Sequence, residues 1–132
     1  MNPQQKGQTT MRRLVLFMHT SLDGFVAGLN GEMDWINLGQ DVFECAGQRT
    51  KEADTALYGR VTYQMMEGYW PTAAQTPNAT KHDIEHSKWY NNVAKVVLSR
   101  TMKGANLPNT KIISENLTDE INKLKRSDGR DI

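Results

Sequence analysis

The sequence predicts one α/β domain built around a mostly parallel sheet. Three observations lead there: short apolar runs of strand length, segments of helical period between them, and glycines at several junctions. At 132 residues the chain is long enough for one domain and scarcely for two. The polar start "MNPQQKGQTTM" predicts a flexible tail over residues 1–11, with a single domain over residues 12–132.

"RRLVLFMH" holds five consecutive apolar residues, 14–18, whose length and side-chain types predict a strand covered on both faces. Residues 38–53 contain a patchy apolar set, Val42, Phe43, Cys45, Ala46 and Ala53, which predicts a helix with Asp41 as its cap. "ADTALYG" is a short strand ending at Gly59, and "RVTYQMMEG" a short helix stopping at Gly68. "YWPTAAQTPNAT" has no firm period and reads as a long connector of the kind that often carries function. "KHDIEHSKWYNNV" is helical, "AKVVLSRT" and "TKIISEN" are strands, and "MKGANLPN" supplies the turn between them. Leu117, Ile121 and Leu124 share one face of an amphipathic helix with a basic end. In "SDGRDI" a turn is followed by what looks like the beginning of another strand.

The totals exclude several classes of function. Sixteen Lys and Arg against fifteen Asp and Glu leave a net charge of +1, too balanced for a dedicated nucleic-acid or membrane surface. A single cysteine rules out an intrachain disulfide. No apolar run approaches the ~20 residues that cross a bilayer, and the start is too polar for a signal peptide. A cytoplasmic chain is the expectation.

Chemistry concentrates at strand ends. Gly59 closes a strand and Arg60 opens a helix, so free N–H groups and the helix dipole favour an anion beyond the strand's carboxyl end. Arg60 and the hydroxyl of Thr62 add donors; the alternative is a turn glycine beside a solvated arginine. Ser99, Arg100 and Thr101 repeat the arrangement one unit later, where open α/β sheets bind ligands. Two arginine-bearing strand ends suit a ligand with more than one phosphate. Phe25, Val26 and Trp35 suit a pocket for a flat ring, although Trp35 also fits an ordinary core. Asp23 and Asp34 occupy turn contexts that favour aspartate for structural reasons as well as catalytic ones. His82 and His86 share a helix face without the His-Glu-x-x-His order of a zinc hydrolase, and a solvent-facing pair is expected, with no metal site. His19 reads as near-core, and Cys45 as packing.

Taken together, "LVLFMHTSLDGFVAGLNGEMDW", "ADTALYGRVTYQMM", "YWP" and "KVVLSRT" resemble the dihydrofolate-reductase-like superfamily. The resemblance is closest to the branch containing the reductase domain of bacterial riboflavin biosynthesis, and it runs from about Arg13 to Ile132. It implies a three-layer α/β/α fold, NADPH as cofactor and a homodimer. By that resemblance Gly59, Arg60, Val61 and Thr62 hold cofactor phosphates, and Ser99, Arg100 and Thr101 meet the adenosine 2′-phosphate. Ser21, Leu22, Asp23 and Gly24 lie at the first-strand exit near nicotinamide and substrate, with Phe25 and Trp35 completing the pocket. Where folate reductases carry a helix acid five positions beyond the tryptophan, this chain has Gln40, with Asp41 next to it. The family also continues past Ile132 with a strand, a Gly-rich turn, a helix and a final strand pair, so the resemblance implies a sheet lacking its C-terminal strands.

The function expected from these features is NADPH-dependent reduction of a pterin-like or ribosylamino-pyrimidine heterocycle. Asp23, Asp34 and Asp41 are the candidate proton donors. The alternative is an inactive relative that keeps the fold and a nucleotide site.

Overall fold

The computed structural model describes residues 10–36, 39–104 and 106–132, so most of the expected tail lies outside the described residues. Three strands, β1 (Thr55–Gly59), β2 (Ala94–Leu98) and β3 (Thr110–Ile113), form a sheet in the order β1-β2-β3, parallel throughout. Helix α1 (Gln40–Glu52) leads into β1. The crossover from β1 to β2 comprises α2 (Arg60–Glu67), a 3-10 turn (Trp70–Gln75) and α3 (Lys81–Asn92), while α4 (Leu117–Arg126) follows β3. Helices flank the parallel sheet, the α/β/α arrangement expected from the sequence. Among the described residues no helix is long and apolar enough to cross a membrane.

Apolar residues on both faces of the central strand explain its position. Val96 and Val97 of β2 are buried, with Ala56, Tyr63, Tyr90, Val93 and Ile113 around them. Tyr90 donates to Glu67 Oε1 at 2.8 Å, and the Lys95 ammonium lies 4.4 Å from the centroid of its ring. Burial pushes the Tyr58 phenol up to about 12, with the Glu67 charge adding to it, and lowers the Lys95 ammonium.

Helix ends follow local chemistry. The N–H of Gly68 closes α2 on the Gln64 carbonyl at 3.1 Å. Thr80 and Asp83 cap α3 reciprocally: the Asp83 N–H donates to Thr80 Oγ1 at 3.1 Å, and the Thr80 N–H donates to Asp83 Oδ2 at 2.8 Å. Burial alone raises the Asp83 carboxyl, but hydrogen bonds from Thr80 and Tyr69 outweigh it and leave the pKa lowered. Thr80→Ala removes one cap and is expected to cost about 1 kcal/mol in urea unfolding. A loss below a few tenths of that would assign the helix start to packing alone.

Four sequence expectations are corrected. Residues 14–18 do not form a doubly covered strand: only the base of this segment is paired, through Val15 N–H to the Ile132 carbonyl (2.8 Å) and Ile132 N–H to the Arg13 carbonyl (2.9 Å), and Leu16 is 84% exposed. Gly39, not Asp41, is the N-cap of α1, and Asp41 sits in the first turn. The connector after Tyr69 is partly ordered as the 3-10 turn, with Ala73 buried beneath it. Cys45 is exposed because the buried position of α1 is its neighbour Ala46, one residue around the helix. The expected turn at Asp128-Gly129 is followed by a parallel bridge between Asp131 and Ala53, as the beginning of a strand requires.

Candidate functional site

Parallel pairing aligns strand ends, because neighbouring strands run the same way and finish at one edge. Gly59 pairs with Leu98, so the start of α2 and the segment at Ser99 leave the sheet side by side. Gly59 is the N-cap of α2 and no side chain caps that helix, which leaves its first-turn N–H groups projecting beyond the strand. A Cβ placed on Gly59 would meet nothing within 4 Å, so the space above the turn is open to a ligand. Val61 and Thr62 are exposed, and Arg60 donates to Gln64 Oε1 at 3.0 Å from an exposed position.

The second strand end is held by its serine. Ser99 Oγ accepts from the N–H of Met102 at 2.9 Å and of Thr101 at 3.3 Å, folding the backbone just after β2. Arg100 and Thr101 are exposed, and Arg100 makes no ion pair or side-chain hydrogen bond among the described residues. The Ser99 N–H reaches the Ile113 carbonyl at 3.0 Å, which brings the end of β3 to the same edge. Ser114, Glu115 and Asn116 therefore belong to this edge too, with Asn116 in the left-handed region at φ 50°. Sequence reasoning passed over them, although "IISEN" directly follows an apolar run as "VVLSRT" does.

The remaining sequence candidates form an arm of two turns. Ser21 N–H donates to the Phe25 carbonyl at 2.8 Å, Phe25 N–H donates to Ser21 Oγ at 2.9 Å, and Gly24 takes φ 90°, which a side chain disfavours. Asp23 accepts from Ser21 Oγ at 2.6 Å, which gives this carboxylate a turn-holding role. A second turn joins Gly28 to Glu32, with Glu32 Oε2 accepting from Asn30 N–H at 2.8 Å, and Asp34 and Trp35 follow in another. Among the described residues no hydrogen bond ties residues 19–36 to the sheet, and Phe25 and Trp35 are exposed. The phosphate candidates are thus brought together at the sheet edge. The pocket candidates Ser21, Gly24, Phe25 and Trp35 stand on an arm whose hydrogen bonds, among the described residues, are all internal, and Asp41 lies apart on α1.

The histidine pair departs from expectation. His82 stacks 4.4 Å from Phe43 and His86 4.0 Å from Trp70, with Trp89 5.1 Å beyond, so aromatic residues from α1, α3 and the 3-10 turn enclose both rings. Burial, with the neighbouring His82 charge, lowers His86 to about 4, and its Nδ1 is buried without a hydrogen-bond partner. A groove between α1 and α3 runs past Lys51, His82, Glu85 and His86, but none of the cofactor, pocket or proton-donor candidates lines it. Among the described residues no group of three His, Cys, Asp or Glu side chains is placed to hold a metal ion. Donor chemistry, rather than depth, marks the strand-end edge.

An open parallel sheet flanked by helices defines an α/β domain. The chain belongs to the RibD C-terminal domain family, which it matches over residues 12–132. It is 36% identical over 124 residues to "Uncharacterized protein YyaP" of Bacillus subtilis (strain 168), an overlap covering 92% of this chain and 61% of that protein. The branch that the sequence resembles, the reductase domain of riboflavin biosynthesis, is therefore the family to which the chain belongs.

Proposed function

We propose that the domain is an NADPH-dependent reductase of a flat nitrogen heterocycle, pterin-like or ribosylamino-pyrimidine, working as a cytoplasmic homodimer. The observation that carries this reading is the adjacency of residues 59–62 and 99–101 at one sheet edge. An uncapped helix start, open space over Gly59, two exposed guanidinium groups and the hydroxyl groups of Thr62 and Thr101 fit a ligand bearing several phosphates. In this reading the N–H groups and side chains of residues 59–62 hold the pyrophosphate, and Ser99, Arg100 and Thr101 hold the 2′-phosphate. The bound cofactor supplies hydride, while the protein binds, orients and excludes water. Ser21, Gly24, Phe25 and Trp35 form the substrate wall once the arm closes on the edge. Asp23, Asp34 and Asp41 remain the candidates for the proton donor. The homodimer follows from the resemblance and from the exposed apolar residues near the amino terminus.

A second reading, a non-catalytic relative that binds nucleotide, is favoured by one observation: the arm makes no hydrogen bond to the sheet among the described residues. Calorimetric titration with NADPH and NADH tests the cofactor assignment, and turnover separates the two readings. Binding is expected to favour NADPH, and Arg100→Gln is expected to weaken NADPH roughly tenfold with little effect on NADH, the loss of one exposed charge-assisted contact. Equal affinity for the two cofactors, or no binding of either, would sink the assignment. NADPH binding without hydride transfer to any pterin or ribosylamino-pyrimidine supports the second reading.

A further inference from the structure

Helices α1 and α3 lie side by side, and rings wall the groove between them. Phe43 stacks on His82 at 4.4 Å, His82 on His86 at 5.4 Å, and His86 on Trp89 at 5.1 Å, a row that runs along α3. Trp89 Nε1 donates to the Ala53 carbonyl at 3.4 Å, which fixes the far end of the row. The half of the groove beside Trp89 has a volume of about 570 Å³, within the range of sites that take a small organic ligand.

Two features of that half serve nothing within the fold. Gly47 stands in the interior of α1, where glycine is less favourable than alanine. A Cβ there would meet nothing within 4 Å, so no neighbour requires the glycine, and its absence leaves the α1 backbone open to the groove. Lys51 and Lys88 line the same half from opposite helices, and neither ammonium has an ion pair or hydrogen bond among the described residues. The carboxylate of that half, Glu85, faces Lys81 at 3.9 Å. The Thr50 hydroxyl and the Asn92 amide donate to the carbonyls of Gly47 and Lys88, at 3.0 and 2.7 Å. Burial lowers both histidines, so at pH 7 the excess positive charge belongs to the two lysines.

We propose that this half of the groove binds a small planar aromatic carboxylate. Its ring lies against His86 and Trp89, close to the α1 backbone at Gly47, and its carboxylate lies between Lys51 and Lys88. A neutral aromatic compound would leave both ammonium groups without a counter-charge, and an aliphatic carboxylate would lose the contact with the rings. None of the strand-end residues lines the groove, so the site is separate from the proposed cofactor edge and does not rest on that assignment.

The probe is 2-naphthoate, titrated into the full chain at pH 7 by calorimetry, with amide chemical shifts locating the contact. One equivalent is expected to bind with a dissociation constant of roughly 0.1 mM, the strength open to a ligand this small, and to shift Gly47, Lys51 and Trp89. Gly47→Leu fills the groove at a helix position that favours leucine, so it should abolish binding without lowering the melting temperature. Replacing Lys51 and Lys88 together by Gln should weaken binding about tenfold, and the uncharged 2-naphthalenemethanol should bind about tenfold more weakly than 2-naphthoate. No heat and no shifts at millimolar probe would overturn the proposal. So would binding that survives Gly47→Leu, or equal affinity for the alcohol. Displacement of the probe by NADPH would also overturn it and move the contact to the strand-end edge.

Discussion

Arg12→Met is expected to remove about 3 kcal/mol of unfolding free energy, a large part of what holds a domain of this size together. The Arg12 side chain is 5% exposed, and it ties its own segment to two others far away in sequence: Asp54 and Thr55 at the start of β1, and the Ser127 hydroxyl and Arg130 carbonyl after α4. Methionine fills much of the volume but leaves the Arg130 carbonyl and one side of Asp54 without their donor, and orphaned buried polar groups cost about 1–3 kcal/mol each. Asp54 is 35% exposed and keeps the Thr55 hydroxyl and the Arg130 N–H, so the loss stays below that of a fully buried pair. Gly129 marks how tightly this clasp is built. At φ 151°, a Cβ there would lie 2.8 Å from the Arg12 guanidinium carbon and 2.9 Å from an Asp54 oxygen. Arg13 is the internal control. It pairs with Asp131 at 2.5 Å from a side chain 69% exposed, where solvent screens the pair, so Arg13→Met is expected to cost far less than Arg12→Met. Urea unfolding of the two variants decides the matter: equal losses would mean that the clasp contributes no more than a surface ion pair.

The same contrast explains what the sequence could disclose. β1, β2 and β3 were legible because their apolar runs are bounded by glycine or polar residues and separated by helical periods, all local features. The strand-end candidates were legible for the same reason: once β1 and β2 are parallel neighbours, Arg60 and Ser99 must emerge together. Residues 14–18 show the limit. Their composition signals cover on both faces, but a run of side chains cannot name the neighbours that supply it, and among the described residues only Asp131 and Ile132 pair at its base. The arm from Ser21 to Trp35 could be parsed into turns, because Ser, Asp, Gly and Asn specify turns locally, while its docking depends on contacts with no local signature. Arg12 was missed altogether. An arginine next to an arginine before an apolar run looks solvated, and only the return of Arg130 past Asp54 buries it.

His82 and His86 were misjudged for a related reason, and they carry the second large effect. Spacing placed both on one face of α3, but that this face meets Phe43 and Trp70 is decided by elements elsewhere in the chain. The His86 ring is held neutral: burial, with the nearby His82 charge, lowers it from an ordinary 6.5 to about 4, while Asp83 opposes weakly. A histidine whose folded value lies below its unfolded value stabilises the fold fully above the unfolded value, and that contribution is lost as pH falls from about 6.5 toward 4. Between pH 7 and pH 5 the linkage amounts to about 2 kcal/mol, rising to about 3 by pH 4. Carboxylates with lowered values, among them Asp54, Asp83 and Asp131, lose their own contributions mainly below that window, so the comparison must be made against a variant. His86→Leu keeps the apolar contact with Trp70 and Trp89 and removes the titration. Urea unfolding at pH 7 and pH 5 should therefore show wild type losing about 2 kcal/mol more than His86→Leu over that interval. His82→Leu removes the like charge that helps to lower His86, so the folded value of His86 rises, and the loss should become smaller and level off at higher pH without disappearing. Parallel losses in wild type and His86→Leu would show that the ring takes up its proton in the folded state at no cost, and that the aromatic enclosure does not desolvate it.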